Sequence, residues 1–248
     1  MNNRVFASVT AFALLIFAST SHAFFKVPDT DFGAPKGLEM VGYETKSLLM
    51  KFNYKTQDLG IGPYSGTWKN RKSSGGFLVF DKRKTSTDIT LEHDTYGTWT
   101  MFCSGMLKGL SFGGVSFDRN NKIDYQCVMQ SGDDTARLEI LPYKKPKFSM
   151  GPPKEERTVN IFLPDGSKMT AQSVHDFKDS RRSSPRPAGY KILKDGKIVG
   201  GLGRQDKTQA ILISEDLLQD PTEHFVFMTG LALQFFTNNR LEKGPGDF

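Results

Sequence analysis

Near its C-terminus the chain carries a stretch, residues 224–236 (HFVFMTGLALQFF), whose apolar side chains Phe225, Val226, Phe227, Met228, Leu231, Leu233, Phe235 and Phe236 fall at every angle around a helix. A helix apolar on all sides has no face for water and must be enclosed. The start is marked by Asp220-Pro221-Thr222-Glu223: a capping carboxylate, a proline where no N–H is needed, and a glutamate at the third helical position. Asn238, Asn239 and Arg240 mark the end, with the cation near the negative pole of the helix dipole. A bilayer would need about 30 Å of apolar helix, whereas about 13 residues rise only about 20 Å. The remaining host is the protein's own sheet.

The rest of the chain supplies that sheet. Its 248 residues allow one large domain or two small ones. A hydrophobic content of 38%, with 20 Phe and 24 Gly, excludes a disordered or collagen-like chain and favours strands around a bulky aromatic interior. Short apolar runs bounded by turn residues predict strands at 38–44, 47–54, 66–69, 76–81, 88–93, 97–104, 107–118, 122–129 and 136–142. In the run 88–93, Ile89 and Leu91 alternate with polar residues, so one face is buried. Residues 144–157 are rich in proline and charge and form a long loop or subdomain break. Beyond it, 159–174 and 190–203 repeat a pattern of apolar run, Leu-x-Asp-Gly, apolar run. That pattern predicts two hairpins turning at Asp165-Gly166 and Asp195-Gly196. The linker 178–187 (KDSRRSSPRP) between them is basic and reads as mobile. A further strand covers 210–214. The expected fold is mainly β (α+β): an antiparallel roll or barrel-like sheet over residues 38–241 with a buried C-terminal helix. An extended arm (24–37) precedes it and a flexible tail (242–248) follows.

Residues 189–241 carry Tyr190-Lys-Ile-x-Lys-Asp195-Gly196-Lys-Ile-Val-Gly200, then Ile211-Leu-Ile213, then the apolar helix. This stretch, about a fifth of the chain, resembles the tubby-like superfamily, which includes the phospholipid-scramblase and LURP-one-type proteins. The resemblance implies a β-barrel wrapping a central hydrophobic helix, and a module acting at anionic lipids or in regulation rather than an ordinary enzyme. It carries over no ligand-binding residue.

The N-terminus reads as an address. Residues 1–23 run from Arg4 through an apolar stretch to Ser21-His22-Ala23, the order of a secretory signal cut after Ala23. No Asn-x-Ser/Thr sequon occurs, which favours a bacterial envelope, so the expected location is periplasmic or secreted. In an oxidising compartment the only two cysteines, Cys103 and Cys127, are expected to form one disulfide between neighbouring strands. Their separation is wrong for a zinc site, and closing the loop between them contributes roughly 3–4 kcal/mol in the chain-entropy account.

Catalytic signals are sparse. The nearest approach to a nucleophile elbow, Gly113-Gly114-Val115-Ser116-Phe117, lacks the final glycine. His93-Asp94 and His175-Asp176 are neighbours in sequence, but adjacent strand residues face opposite ways. His224 reads as a packing or surface residue. No metal motif, cofactor loop or nucleic-acid signature appears, and no cofactor is expected. What remains is a net charge of +6 gathered in four clusters: Lys69, Arg71 and Lys72; Lys82, Arg83 and Lys84; Lys144 and Lys145; Arg181, Arg182 and Arg186. Clusters in turns are often merely solvated; brought together, they would meet anionic lipid or lipopolysaccharide phosphates. The expected function is therefore a non-catalytic binding or structural module of the cell envelope. Its partner is anionic envelope lipid or an envelope protein, without nucleic acid and without a transmembrane span in the mature chain. The alternative is a hydrolase of an envelope polymer.

Overall fold

The structure is a computed structural model that describes residues 29–45, 55–77, 80–112, 115–117, 124–142, 154–178, 180–181, 183–205, 208–218 and 220–239. The leader 1–23, the tail 242–248 and the strand expected at 47–54 lie outside the described residues. So do Lys144, Lys145 and Arg182.

Among the described residues, thirteen strands form one antiparallel sheet: β1 (Met40–Glu44), β2 (Gln57–Ile61), β3 (Tyr64–Phe77), β4 (Phe80–His93), β5 (Gly97–Phe112), β6 (Val115–Phe117), β7 (Asp124–Ser131), β8 (Asp134–Ile140), β9 (Thr158–Phe162), β10 (Lys168–Val174), β11 (Gly189–Lys194), β12 (Lys197–Gln205) and β13 (Thr208–Ser214). Twelve lie side by side in the order β1-β13-β12-β11-β10-β9-β8-β7-β5-β4-β3-β2, with β6 folded back on β5. The sheet curls into a nearly closed barrel. Where its two edge strands come near each other, the Tyr43 ring on β1 lies against Gly62 in the β2–β3 turn, in space that any side chain at 62 would occupy.

Helix α1 (Pro221–Asn239) is buried on every side from Thr222 to Phe236. Its side chains are met from several walls: Phe227 by Tyr64 on β3 and Tyr43 on β1, Phe225 by Trp99 on β5, Phe235 by Trp68 on β3, and Phe236 by Tyr125 on β7. On the remaining side the helix approaches the sheet where side chains are missing. A methyl group at Gly230 would strike Ile211, and one at Gly200 would strike Val226. The start is built as the sequence predicts, with the Thr222 amide donating to Asp220 Oδ1 at 2.7 Å. Among the described residues no helix is long and apolar enough to cross a membrane.

The strand expectations hold in type and differ in extent. The segment 76–81 is no strand of its own: Phe77 pairs with Phe80, so this apolar run is the tip of the long β3–β4 hairpin. The two strands expected at 97–104 and 107–118 are one strand, β5, followed by the short return β6. Of the two Asp-Gly turns, Asp195-Gly196 is a two-residue turn with both residues at positive φ, 52° and 76°. At Asp165-Gly166 only Gly166 is left-handed, at 81°. There the hairpin closes through Leu163 N–H to the Ser167 carbonyl, one residue longer, and Asp165 Oδ1 accepts the Ser167 amide instead of turning the chain itself. Cys103 and Cys127 sit directly opposite each other on β5 and β7, wholly buried, and are joined by a disulfide.

The arm is held on the outer face of the sheet. Thr30 N–H donates to the Arg204 carbonyl, Asp31 N–H to that of Asp176, and the Thr30 hydroxyl to that of Ala188. Phe32 drops into a groove over Gly201 and Gly203, where a methyl group would meet its ring at 2.8 and 2.4 Å, and forms a small outer core with Val174, Ala210 and Leu212.

Candidate functional site

An antiparallel meander sends alternate connections to opposite ends of a barrel, and here the two ends differ in length, charge and chemistry. The end where the helix starts gathers the tight turns β2–β3, β4–β5, β7–β8, β9–β10 and β11–β12. These turns and the lead-in to the helix carry Asp94, Asp133, Asp134, Asp165, Asp195, Glu215, Asp216 and Asp220, against Lys168, Lys194 and Lys197. The end where the helix finishes gathers the β3–β4 tip and the long connections β8–β9 and β10–β11.

Of the described sequence-predicted basic residues, those on β4 and on the β10–β11 connection lie toward this second end. Lys69, Arg71 and Lys72 lie in the middle of β3, with Lys84 on β4 opposite Ser73. Lys82 is in register with Gly75 on one side and Lys108 on the other, and Arg83 with Ser74 and Leu107. Among the described residues the ladder of β3, β4, β5 and β6 continues beyond Met106, the last β5 residue with a described β7 partner. Arg181 and Arg186 stand on the β10–β11 connection, half the strand order away and therefore on the opposite wall. Lys84 and Arg181 are exposed. Arg71 pairs with Asp88 at 3.3 Å across the hairpin.

A cleft of about 450 Å³ opens on the outer face beside the arm, lined by Lys154, Arg157, Ser173, His175, Asp176 and Lys191 among others. His175 acts as a latch here. Its Nδ1 lies 2.8 Å from the Ser184 carbonyl and its Nε2 3.2 Å from the Ser173 hydroxyl. An N–H on Nδ1 satisfies the first, and Nε2 then accepts from the second. The Ser173 hydroxyl oxygen in turn accepts the Arg157 amide. Asp176 is turned to Ser183 and Lys154; the Ser183 hydroxyl holds its carboxyl below the ordinary value. The Arg157 guanidinium is paired with Glu155 at 2.6 Å and lies 5.1 Å over the Phe236 ring, a cation set against the last turns of the helix.

At the acidic end the interior is a chain of rings. Tyr64 stacks on Phe227 at 3.7 Å, His93 lies 4.7 Å from both Tyr64 and Tyr96, and His224 sits among Tyr64, Tyr96, Trp99 and Phe225 at 4.9–5.7 Å. His93 Nδ1 accepts the amides of Thr95 and Tyr96 and so ties the β4–β5 turn. The Tyr96 hydroxyl reaches Glu223 Oε2 and the Asp220 carbonyl, both at 3.1 Å. Burial, reinforced by Glu223, pushes the Tyr96 hydroxyl up to about 12 and Tyr64 upward as well.

His224 is the anomaly. It is 1% exposed, and neither ring nitrogen has a hydrogen-bond partner. Burial, with His93 nearby, pushes it from 6.5 down to about 3, so the ring is neutral at ordinary pH. It lies on a second cleft of about 490 Å³, whose apolar floor includes Tyr96, Trp99, Pro164, Pro221 and Phe225 and whose polar rim includes Asp134, Asp165, Lys194 and Thr222. Lys194 Nζ donates to the Thr222 hydroxyl at 2.9 Å. Asp165 is held below its ordinary value by Ser167. The sequence signals for this cleft were the alternation that turns Trp99 inward with Met101 and Cys103, and the two Asp-Gly turns. What they lacked was any sign that four turns and the helix start share one mouth.

Among the described residues no three His, Cys, Asp or Glu side chains come together as a metal site. Compared with protein-family models, with curated proteins and with solved structures, the chain finds no match, so the reading of function rests on the geometry of its two ends.

Proposed function

We propose that the protein is an exported, periplasmic, non-catalytic binding module of the cell envelope that sits with its basic end against anionic lipid or lipopolysaccharide phosphates. The observation that carries this reading is the sorting of charge by topology. Alternate connections of the meander bring the basic stretch of β4 and the arginines of the β10–β11 connection toward one end, with Lys69, Arg71 and Lys72 on the wall behind them, while the tight acidic turns take the other. Cations on opposite walls of one rim face an extended anionic surface together, and each adds about 1 kcal/mol of attraction near such a surface. Acidic turns at the far end are repelled and so set the orientation.

A barrel enclosing an apolar helix is what the C-terminal resemblance to the tubby-like superfamily implies, and it agrees with a binding module of that kind. The hydrolase alternative has less behind it. Both ring nitrogens of His175 are bonded within its loop, and His93 spends Nδ1 on its own turn.

Co-sedimentation of the mature chain with phosphatidylglycerol vesicles tests the reading. Binding is expected at low salt, weakening as salt rises, with none to phosphatidylcholine. The triple change Lys69→Glu, Lys84→Glu, Arg181→Glu should weaken it by about 100-fold or more. Absence of binding at low salt, or a triple variant that binds as tightly as the parent, rejects it.

A further inference from the structure

We infer that the cleft at the acidic end is a binding site for a neutral saccharide. This inference is independent of the basic end and of what that end contacts.

The starting point is the buried imidazole of His224. Leaving a buried polar side chain without partners costs free energy that an apolar residue of similar shape would not incur. This one sits on the wall of a cleft whose volume, about 490 Å³, lies within the range of small-molecule sites, about 300–1,000 Å³. The groups around it define what would satisfy it. A neutral imidazole offers one N–H donor and one bare nitrogen acceptor. Across the cleft, Asp134 and Asp165 only accept, while Lys194 only donates and has N–H groups beyond the one given to Thr222. An anionic ligand would satisfy Lys194 and oppose the two aspartates. An ammonium ligand would satisfy the aspartates and oppose Lys194. Hydroxyl groups donate and accept at the same atom, so a ligand bearing several of them meets Asp134, Asp165 and Lys194 at once, and it meets His224 when that buried ring turns toward the cleft.

The floor points the same way. Trp99 and Phe225, each largely buried, line the cleft with Tyr96, Pro164 and Pro221 beneath a rim of polar groups. A pyranose ring is built as the complement, with an apolar C–H face and hydroxyls around its edge. Trp99 is also fixed in place: its Nε1–H is committed to the Tyr96 carbonyl at 3.1 Å, and the His224 and Phe225 rings pack against it. The site stands on tight turns and on the capped start of a buried helix, so it is held before any ligand arrives.

Fluorescence titration of the full mature chain tests the inference, because Trp99 is in the cleft whereas the other tryptophan, Trp68, is buried inside the barrel. With chitotriose, maltotriose and lactose as probes, at least one should give a saturable change in emission. Asp134→Ala, an exposed turn residue, should weaken that binding at least about tenfold while leaving the melting temperature in place. His224→Phe should abolish it in a chain that still folds. Three results overturn the inference: no response to any of the three sugars, sugar binding that survives both substitutions, or an Asp134-dependent response to spermidine in place of the sugars.

Discussion

The two ends of this barrel are made from the same strands and share one helix, yet they are opposites. At the end where the helix starts, connections of two to five residues hold acidic side chains over a packed set of rings. At the end where it finishes, the β8–β9 and β10–β11 connections are long, the basic β3–β4 hairpin has its tip, and an arginine lies against the closing turn of the helix. The difference shows what an antiparallel meander does with charge. Each strand reverses direction, so residues near every second turn share an end, and a sequence that looks like alternating charged loops becomes a molecule with two poles. Short turns give the acidic pole a fixed shape suited to a small ligand. Long connections give the basic pole reach, suited to a broad surface.

The strongest way to break the comparison is to remove what both ends share. Leu231 lies at the middle of the helix and is wholly buried. Leu231→Asp places an unpaired charge in the barrel interior, with a cost of several kcal/mol that approaches the whole stability of a domain. The variant should yield no cooperative melting transition; melting like the parent would mean that the helix is not enclosed.

A smaller effect sharpens the acidic end. The unfolded chain takes a proton on His224 near pH 6.5, whereas the folded chain does not until about 3. The unfolded state therefore binds more protons in that window, and the stability contributed by the neutral ring, complete above 6.5, is lost as pH falls toward 3. The slope is about 1.4 kcal/mol per pH unit at most. His93 and Glu223 face the same cluster, so the slope is isolated by difference. His224→Phe should flatten the acid limb of stability against pH and leave neutral-pH stability equal or higher, measured by urea melts from pH 7 to pH 4. An unchanged acid limb would show that His224 is solvated.

Much of this architecture is legible in the chain. The enclosed helix, its Asp220 cap, the type of the strands, the Asp195-Gly196 turn and the Cys103–Cys127 pair all follow from local pattern, because each depends on neighbours in sequence or on a single partner. Strand extent does not follow. The apolar run 76–81 looks like a strand but is a hairpin tip, since apolar character marks contact and not direction. The groove that holds Phe32 was equally hidden: Gly200, Gly201 and Gly203 fall in the second strand of the expected hairpin, and nothing local shows that the arm and the helix press on that backbone from opposite faces. Of the candidate sites, the basic clusters were visible as composition while their shared end depended on strand count. The His224 cleft left only scattered signals, the inward Trp99 and the Asp-Gly turns, since a histidine in an apolar helix reads as packing until its missing partners are known.

The central claim is that the two poles face different partners, and the direct measurement reports both poles at once. An environment-sensitive dye is attached at Ser73→Cys, an exposed β3 position opposite Lys84, or at Asp133→Cys on the β7–β8 turn, and each labelled chain is mixed with phosphatidylglycerol vesicles at low salt. The account predicts a blue shift for the dye at position 73 and none at 133. Equal shifts at both positions, or a shift at 133 alone, would contradict it.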